Sequence, residues 1–288
     1  MKKSILLILI LGLATLACSF SGVTATAPTE SIGVETLVAG TMQALTAAAP
    51  PPTATPNGIP VSSNEATFLI PNGLAGNASA TSSTEVELPY IYPSFGEMPL
   101  HTVFHLDQYP IQGHRLEPEI MIFRAAEYAQ YTEKTAQIIA DLKNLQYSPG
   151  QPLPENLQDG VFQGQVQPIQ FQNGKGIRYL VQFDQAPLPA NNAAIYYYFH
   201  GLTDDGLFYI QAFLPIHASF LVADDQPTSI TPPDGVQFDW TDFNQGFENF
   251  SVYREAINRK LDTAEPGMFT PSLADLDALI RSIRVSDS

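Results

Sequence analysis

The sequence predicts an α+β protein: an antiparallel β-sheet meander packed with helices, as a single domain after a disordered tether. Three observations carry this. Runs of β-branched and aromatic residues recur across 176–183, 194–200 and 207–214. Apolar residues return at helical spacing in three other stretches. A segment rich in Ser, Thr, Ala, Pro and Gly, residues 18–65, precedes all of these, and no second linker or internal repeat divides residues 66–288.

The strands come in order. Residues 100–107 alternate, with Leu100, Thr102, Phe104 and Leu106 on one face and His101, Val103, His105 and Asp107 on the other. The short apolar run 119–123 follows a loop containing Tyr109-Pro110 and Gly113, so the two pair as a hairpin. Between the last two of the three later strands lies Leu202-Thr203-Asp204-Asp205-Gly206. Its Asp-Gly step suits a tight turn, because glycine accepts a positive φ. The three strands therefore read as a meander.

Helices flank the strands. Tyr128, Tyr131, Thr135, Ile138, Ile139, Leu142 and Leu145 keep one face of a single helix. A second runs over about 245–262 with Phe247, Phe250, Tyr253, Ile257 and Leu261 inward. The last has Thr270 as its cap, Pro271 in its first turn, Asp275 and Asp277 near its positive end and Arg281 and Arg284 near its negative end. Its Leu273, Leu276, Leu279, Ile280 and Ile283 pack on the sheet. In element order this resembles the PsbP-type fold, an antiparallel sheet between helices that hosts accessory and assembly factors.

The chain begins with Met1-Lys2-Lys3, continues through the apolar run Ile5–Leu11 and closes on Thr15-Leu16-Ala17-Cys18. A positive start, an apolar stretch and small residues before a break make an export signal over residues 1–17. The run is shorter than the ~20 residues a membrane-crossing helix needs. Residues 15–18 resemble the bacterial lipobox, with Thr15 in the place of the usual leucine. The resemblance implies cleavage after Ala17, lipid on Cys18, and anchoring at the outer face of the cytoplasmic membrane. The other reading of these residues is an ordinary secretory signal that releases the protein. Cys18 is the one cysteine of 288 residues, so the mature domain has neither a disulfide nor a catalytic thiol. In the stalk, Val34, Leu37, Val38, Met42 and Leu45 read either as a short membrane-surface helix or as a mobile tether.

Charge narrows the partners. With Lys2 and Lys3 removed, 11 of the 13 Lys+Arg remain against 29 Asp+Glu. Such a balance repels nucleic acid and anionic head groups. The membrane is therefore reached through lipid, and the remaining partner is a protein or a carbohydrate.

Chemistry leaves little trace. There is no Gly-x-Ser-x-Gly, Ser-x-x-Lys or His-Glu-x-x-His, no phosphate loop and no cofactor motif. Asp204, Asp205, Asp224 and Asp225 lack the spacing of a calcium loop and read as turn residues. Two candidate sites stand out. His105 and Asp107 project to one side of a strand about 7 Å apart, within reach of a metal ion together with His114. The other reading of these residues is a solvated outer face, its polar residues alternating with inward Phe104 and Leu106. The aromatic row around Tyr196, Tyr198 and Phe208 is either an exposed binding surface or a sheet buried on both faces. The sequence thus expects a lipid-anchored binding or assembly module, with a metal-assisted hydrolase as the alternative.

Overall fold

Strand β8 (Ile195–Thr203) and strand β9 (Phe208–Pro215) are buried at every residue, which places them at the centre of the molecule. The computed structural model describes residues 57–84, 98–148, 151–184, 186–239 and 246–286. The export signal, Cys18 and the stalk up to residue 56 lie outside the described residues. Among the described residues the chain order continues as β1 (Gly58–Ser62), β2 (Ala66–Pro71), β3 (Asn77–Ser83), β4 (His101–Asp107), β5 (Glu119–Arg124), α1 (Ala125–Tyr131) and α2 (Glu133–Lys143). After β6 (Phe162–Phe171), β7 (Gly174–Gln182), β8 and β9 come β10 (His217–Ala218), α3 (Gly246–Thr263), β11 (Phe269–Thr270), α4 (Leu273–Ser282) and β12 (Arg284–Val285).

Seven strands form the main sheet in the order β3-β4-β5-β9-β8-β7-β6, and every neighbouring pair is antiparallel. The expected meander is β7-β8-β9. Its second turn works as the sequence implies: Gly206 has φ 72°, and Asp205 Oδ1 accepts from the Leu207 amide at 3.0 Å and the Thr203 hydroxyl at 2.6 Å. A smaller sheet, β1-β2-β12, brings the C-terminal strand onto the N-terminal hairpin. Residues Thr55–Ser288 form one compact unit.

Strand alternation sends side chains to two cores. Tyr197, Phe199, Phe208 and Ile210 point toward α3, α4 and the small sheet. Tyr196, Tyr198, Tyr209 and Phe213 point toward α1 and α2. Each such ring, fully buried, contributes roughly 1.5–3 kcal/mol of hydrophobic free energy. With both faces covered, the sheet has no open aromatic side, and an α+β layering results.

Several local readings need correction. The linker ends before residue 65, because Gly58–Ser62 pairs with β2 in register. The helix expected over Tyr128–Leu145 is two helices. Thr132 sits at φ −147°, its hydroxyl accepts from the Thr135 amide at 3.1 Å, and Thr135 Oγ1 accepts from the Thr132 amide at 2.9 Å. This reciprocal cap starts a new helix and ends the old one. The last helix is capped by Ser272, whose hydroxyl accepts from the Asp275 amide at 3.1 Å. Thr270 belongs instead to β11, opposite His217.

Candidate functional site

The structure separates the three residues expected to hold a metal. His105 lies on β4 with Nδ1 3.1 Å from Glu119 Oε1, its register partner on β5. Asp107 is exposed at the end of β4, where the Ser79 hydroxyl donates to Oδ1 at 3.5 Å. His114 follows Gly113, whose φ of 79° turns the loop away from β4, and packs against Tyr196 and His217. The outer-face reading of β4 holds only at its end: His105 is partly exposed and Asp107 exposed, whereas His101 and Val103 on the same face are buried, with His101 stacked on Phe123. Among the described residues no group of three or more His, Cys, Asp or Glu is arranged to hold a metal ion.

The aromatic surface is also corrected. Tyr196, Tyr198 and Phe208 are 2%, 0% and 2% exposed. Their faces are taken by other side chains rather than by solvent: His114 and Phe183 against Tyr196, Phe213 stacked on Tyr198, and the Arg124 guanidinium over Phe208. Buried tyrosine hydroxyls need partners, and the structure provides them. The Leu116 amide donates to Tyr196 Oη at 3.0 Å, Gln211 Nε2 donates to the Tyr198 hydroxyl, and Tyr179 Oη donates to the Leu157 carbonyl at 2.7 Å.

At the middle of this layer stands His200, fully buried, with Nδ1 2.5 Å from Tyr209 Oη and Nε2 3.3 Å from Tyr179 Oη. Asp159 Oδ2 lies 3.6 Å from His200 Nε2, and Lys134 Nζ donates to Asp159 Oδ1 at 2.6 Å. Burial pulls the His200 pKa below its ordinary value, with Asp159 opposing. Burial also works against the Asp159 charge, yet His200 and Lys134 beside it hold that pKa below the usual carboxylate value. A carboxylate, an imidazole and a hydroxyl in line have the parts of a proton relay. At 0% and 4% exposure, His200 and Asp159 are sealed beneath α2 and tie the sheet to its cover.

Two concave features reach the surface. The first is a cleft of about 400 Å³ between α3 and the segment before it. Phe250, Val252 and Tyr253 from α3 form one wall, with Val236, Phe238 and Pro187 completing it. The rings hold one another edge-on: Phe238 and Tyr253 centroids are 4.9 Å apart at 72°, and Phe162 packs below Phe250 at 5.8 Å and 65°. Tyr253 is fixed by accepting from the Ala190 amide at 3.1 Å, and burial pushes its pKa up to about 12. Val252 is 65% exposed at the lip. Helix α3 is held there from its far side: Asn258 Oδ1 accepts from the Gln163 amide at 3.0 Å and Asp262 Oδ1 from the Gln165 amide at 2.6 Å.

The second is a cavity of about 350 Å³ shared by His114, His217, Gly113 and Asn192. The two imidazoles stack with centroids 5.4 Å apart and planes 26° from parallel. Burial, and secondarily the nearby His217, push the His114 pKa down to about 4. Neither feature was read from the sequence. The cleft combines residues with no shared motif, and His217 stands far along the chain from His114 with no local signal.

Among the described residues no helix is long and apolar enough to cross a membrane. Compared with known proteins, the chain matches no family model, no curated relative and no solved structure.

Proposed function

We propose that the chain is an extracytoplasmic lipoprotein, held through lipid on Cys18 at the outer face of the cytoplasmic membrane, whose domain binds or assembles a protein partner without catalysis. The α3 cleft carries the binding part. Its volume falls within the ~300–1,000 Å³ of ligand sites, and its walls are aromatic and aliphatic. A sugar ligand needs several converging polar groups, and here Gln237, Asp239 and Asn249 stand at the margin of an apolar floor. The occupant that fits is an apolar side chain presented by a protein segment. The chain's net charge of −16 favours basic residues on either side of that apolar group. The lipobox resemblance and the Pro-rich stalk support the anchored placement.

The tether is tested by fractionation and mass spectrometry. The full chain pellets with membranes and carries acyl mass on Cys18, while Cys18→Ser is released; an unmodified Cys18 overturns the placement. The cleft is tested with two labelled peptides, each bearing a central Phe flanked by Lys or by Glu. The Lys-flanked peptide binds the full chain more tightly, and Val252→Arg weakens it about thirtyfold, the effect of losing a contact of about 2 kcal/mol. Equal binding of both peptides, or no effect of Val252→Arg, overturns the reading.

A further inference from the structure

We propose that His114 and His217 together bind a divalent transition-metal ion of the zinc(II) or copper(II) class in the cavity beside Asn192. His114 is preset for the task. The Ile195 carbonyl engages one of its ring nitrogens. Nε2 is buried and has no hydrogen-bond partner. A ring whose N–H is held by a backbone carbonyl keeps its lone pair on the opposite nitrogen, which is how metal-bound imidazoles are oriented. Tyr196 holds the ring plane edge-on, with centroids 5.4 Å apart at 79°.

His217 supplies the second imidazole from β10, where its backbone is fixed opposite Thr270 while its side chain stays exposed. The two rings line one cavity, and as they stand nearly parallel it is the exposed His217 side chain that turns to aim its lone pair at the ion held by His114. Solvent fills the other positions of such an open site.

The neighbouring cation does not oppose this. Arg115 follows His114 in sequence, but Asp184 Oδ1 accepts from its guanidinium at 2.8 Å and Asp225 Oδ2 at 3.2 Å. Two carboxylates offset its charge. Asn192 is no ligand, because its side-chain oxygen accepts from the Ala218 amide at 2.7 Å and its nitrogen donates to the Ala218 carbonyl at 3.1 Å. Imidazole ligands select zinc and copper over magnesium and calcium.

Calorimetric titration of the full chain in detergent with zinc(II) and copper(II) tests the site. Cys18→Ser is included throughout so that the thiol does not compete. One equivalent binds, copper(II) more tightly than zinc(II), and magnesium(II) does not compete. His217→Ala, at an exposed position that leaves the fold intact, lowers affinity at least about tenfold, no less than the loss of an outer-shell partner would. His114→Ala does the same, and His105→Ala does not. Proton NMR shows the ion perturbing two imidazoles only. Binding that survives the His114→Ala/His217→Ala double variant, or no binding at all, overturns the proposal.

Discussion

On the α4 side of the central sheet, Asp277 meets Arg178 from β7. On the α2 side, Asp159 meets His200 from β8. Both carboxylates are buried beside a base, at 6% and 4% exposure. Around Arg178 the polar groups are satisfied. Its Nε donates to Asp277 Oδ1 at 3.1 Å and its Nη2 to Gln167 Oε1 at 2.7 Å, while Nη1 reaches the Gln165 carbonyl. That carbonyl is aimed by a β-bulge in β6, where the register shifts between Gly164 and Gln167 and Gln165 takes φ 55°. Tyr197 Oη adds a second donor to Asp277 Oδ1 at 2.9 Å. Around His200 the bonding is incomplete, since Asp159 Oδ2 has no hydrogen-bond partner. A guanidinium cannot shed its proton and must be fully bonded. An imidazole can become neutral, so its surroundings tolerate a gap.

Removal of one carboxylate probes this difference most strongly. Asp277→Ala leaves a buried guanidinium without its ion partner and costs about 3–5 kcal/mol. Asp159→Ala costs less, about 1–3 kcal/mol. His200 then stays neutral, and Lys134, 45% exposed at its side chain, turns to water. Denaturant midpoints at constant m measure both. Equal losses would show that the His200 pair is as strongly ionic as the Arg178 pair.

Acid separates the two sides next. The His200 pKa is lowered in the folded state, so below about pH 6.5 the unfolded chain takes up a proton that the native chain resists. Stability from this group is therefore full above that pH and declines as pH falls. Asp159, also lowered, adds a second decline below its ordinary pKa of 3.8. His200→Gln reduces the first slope and keeps the second. Thermal midpoints read across about pH 2–7 check this, and an unchanged slope above pH 4 in His200→Gln would count against a neutral buried imidazole.

How much of this was legible in the sequence depends on how local each cause is. The β7-β8-β9 meander was legible because alternation and the Asp205-Gly206 turn act within a few residues. Strand β3, Asn-Ala-Ser-Ala-Thr-Ser-Ser, was not read as a strand because its own residues are small and mostly exposed; pairing with β4 makes it one. Strand β6 was hidden by Pro168 and repeated glutamines. The Thr132 break was missed because Thr135 completes the cap where glutamate is the usual signal. Burial of Tyr196, Tyr198 and Phe208 depends on neighbours from other strands and loops, such as His114, Phe213 and Arg124. The same holds for chemistry: Arg178 and Asp277 are 99 residues apart, and nothing near either announces the other. His114 was recognised as a candidate ligand, but its neighbour is set by the β10–β11 pairing rather than by the strand that carries His105.

The smallest effect sharpens the contrast furthest. Tyr197→Phe removes one donor from Asp277 but leaves the Arg178 bond to the same oxygen and Arg281 Nη2 3.6 Å from the other. No buried group is orphaned, so the loss is that of a single hydrogen bond to a charged acceptor, about 1.5 kcal/mol. Burial, followed by the Asp277 charge, raises the Tyr197 pKa well above 10. The hydroxyl therefore does not titrate between pH 4 and 7, and Tyr197→Phe displaces the whole stability curve without altering its slope. Tyr209→Phe removes the contact to His200 Nδ1 at 2.5 Å and acts on the group that does titrate. It changes the slope as well as the height. If both variants shift their curves in parallel, the two sides of the sheet do not divide permanent from titratable charge.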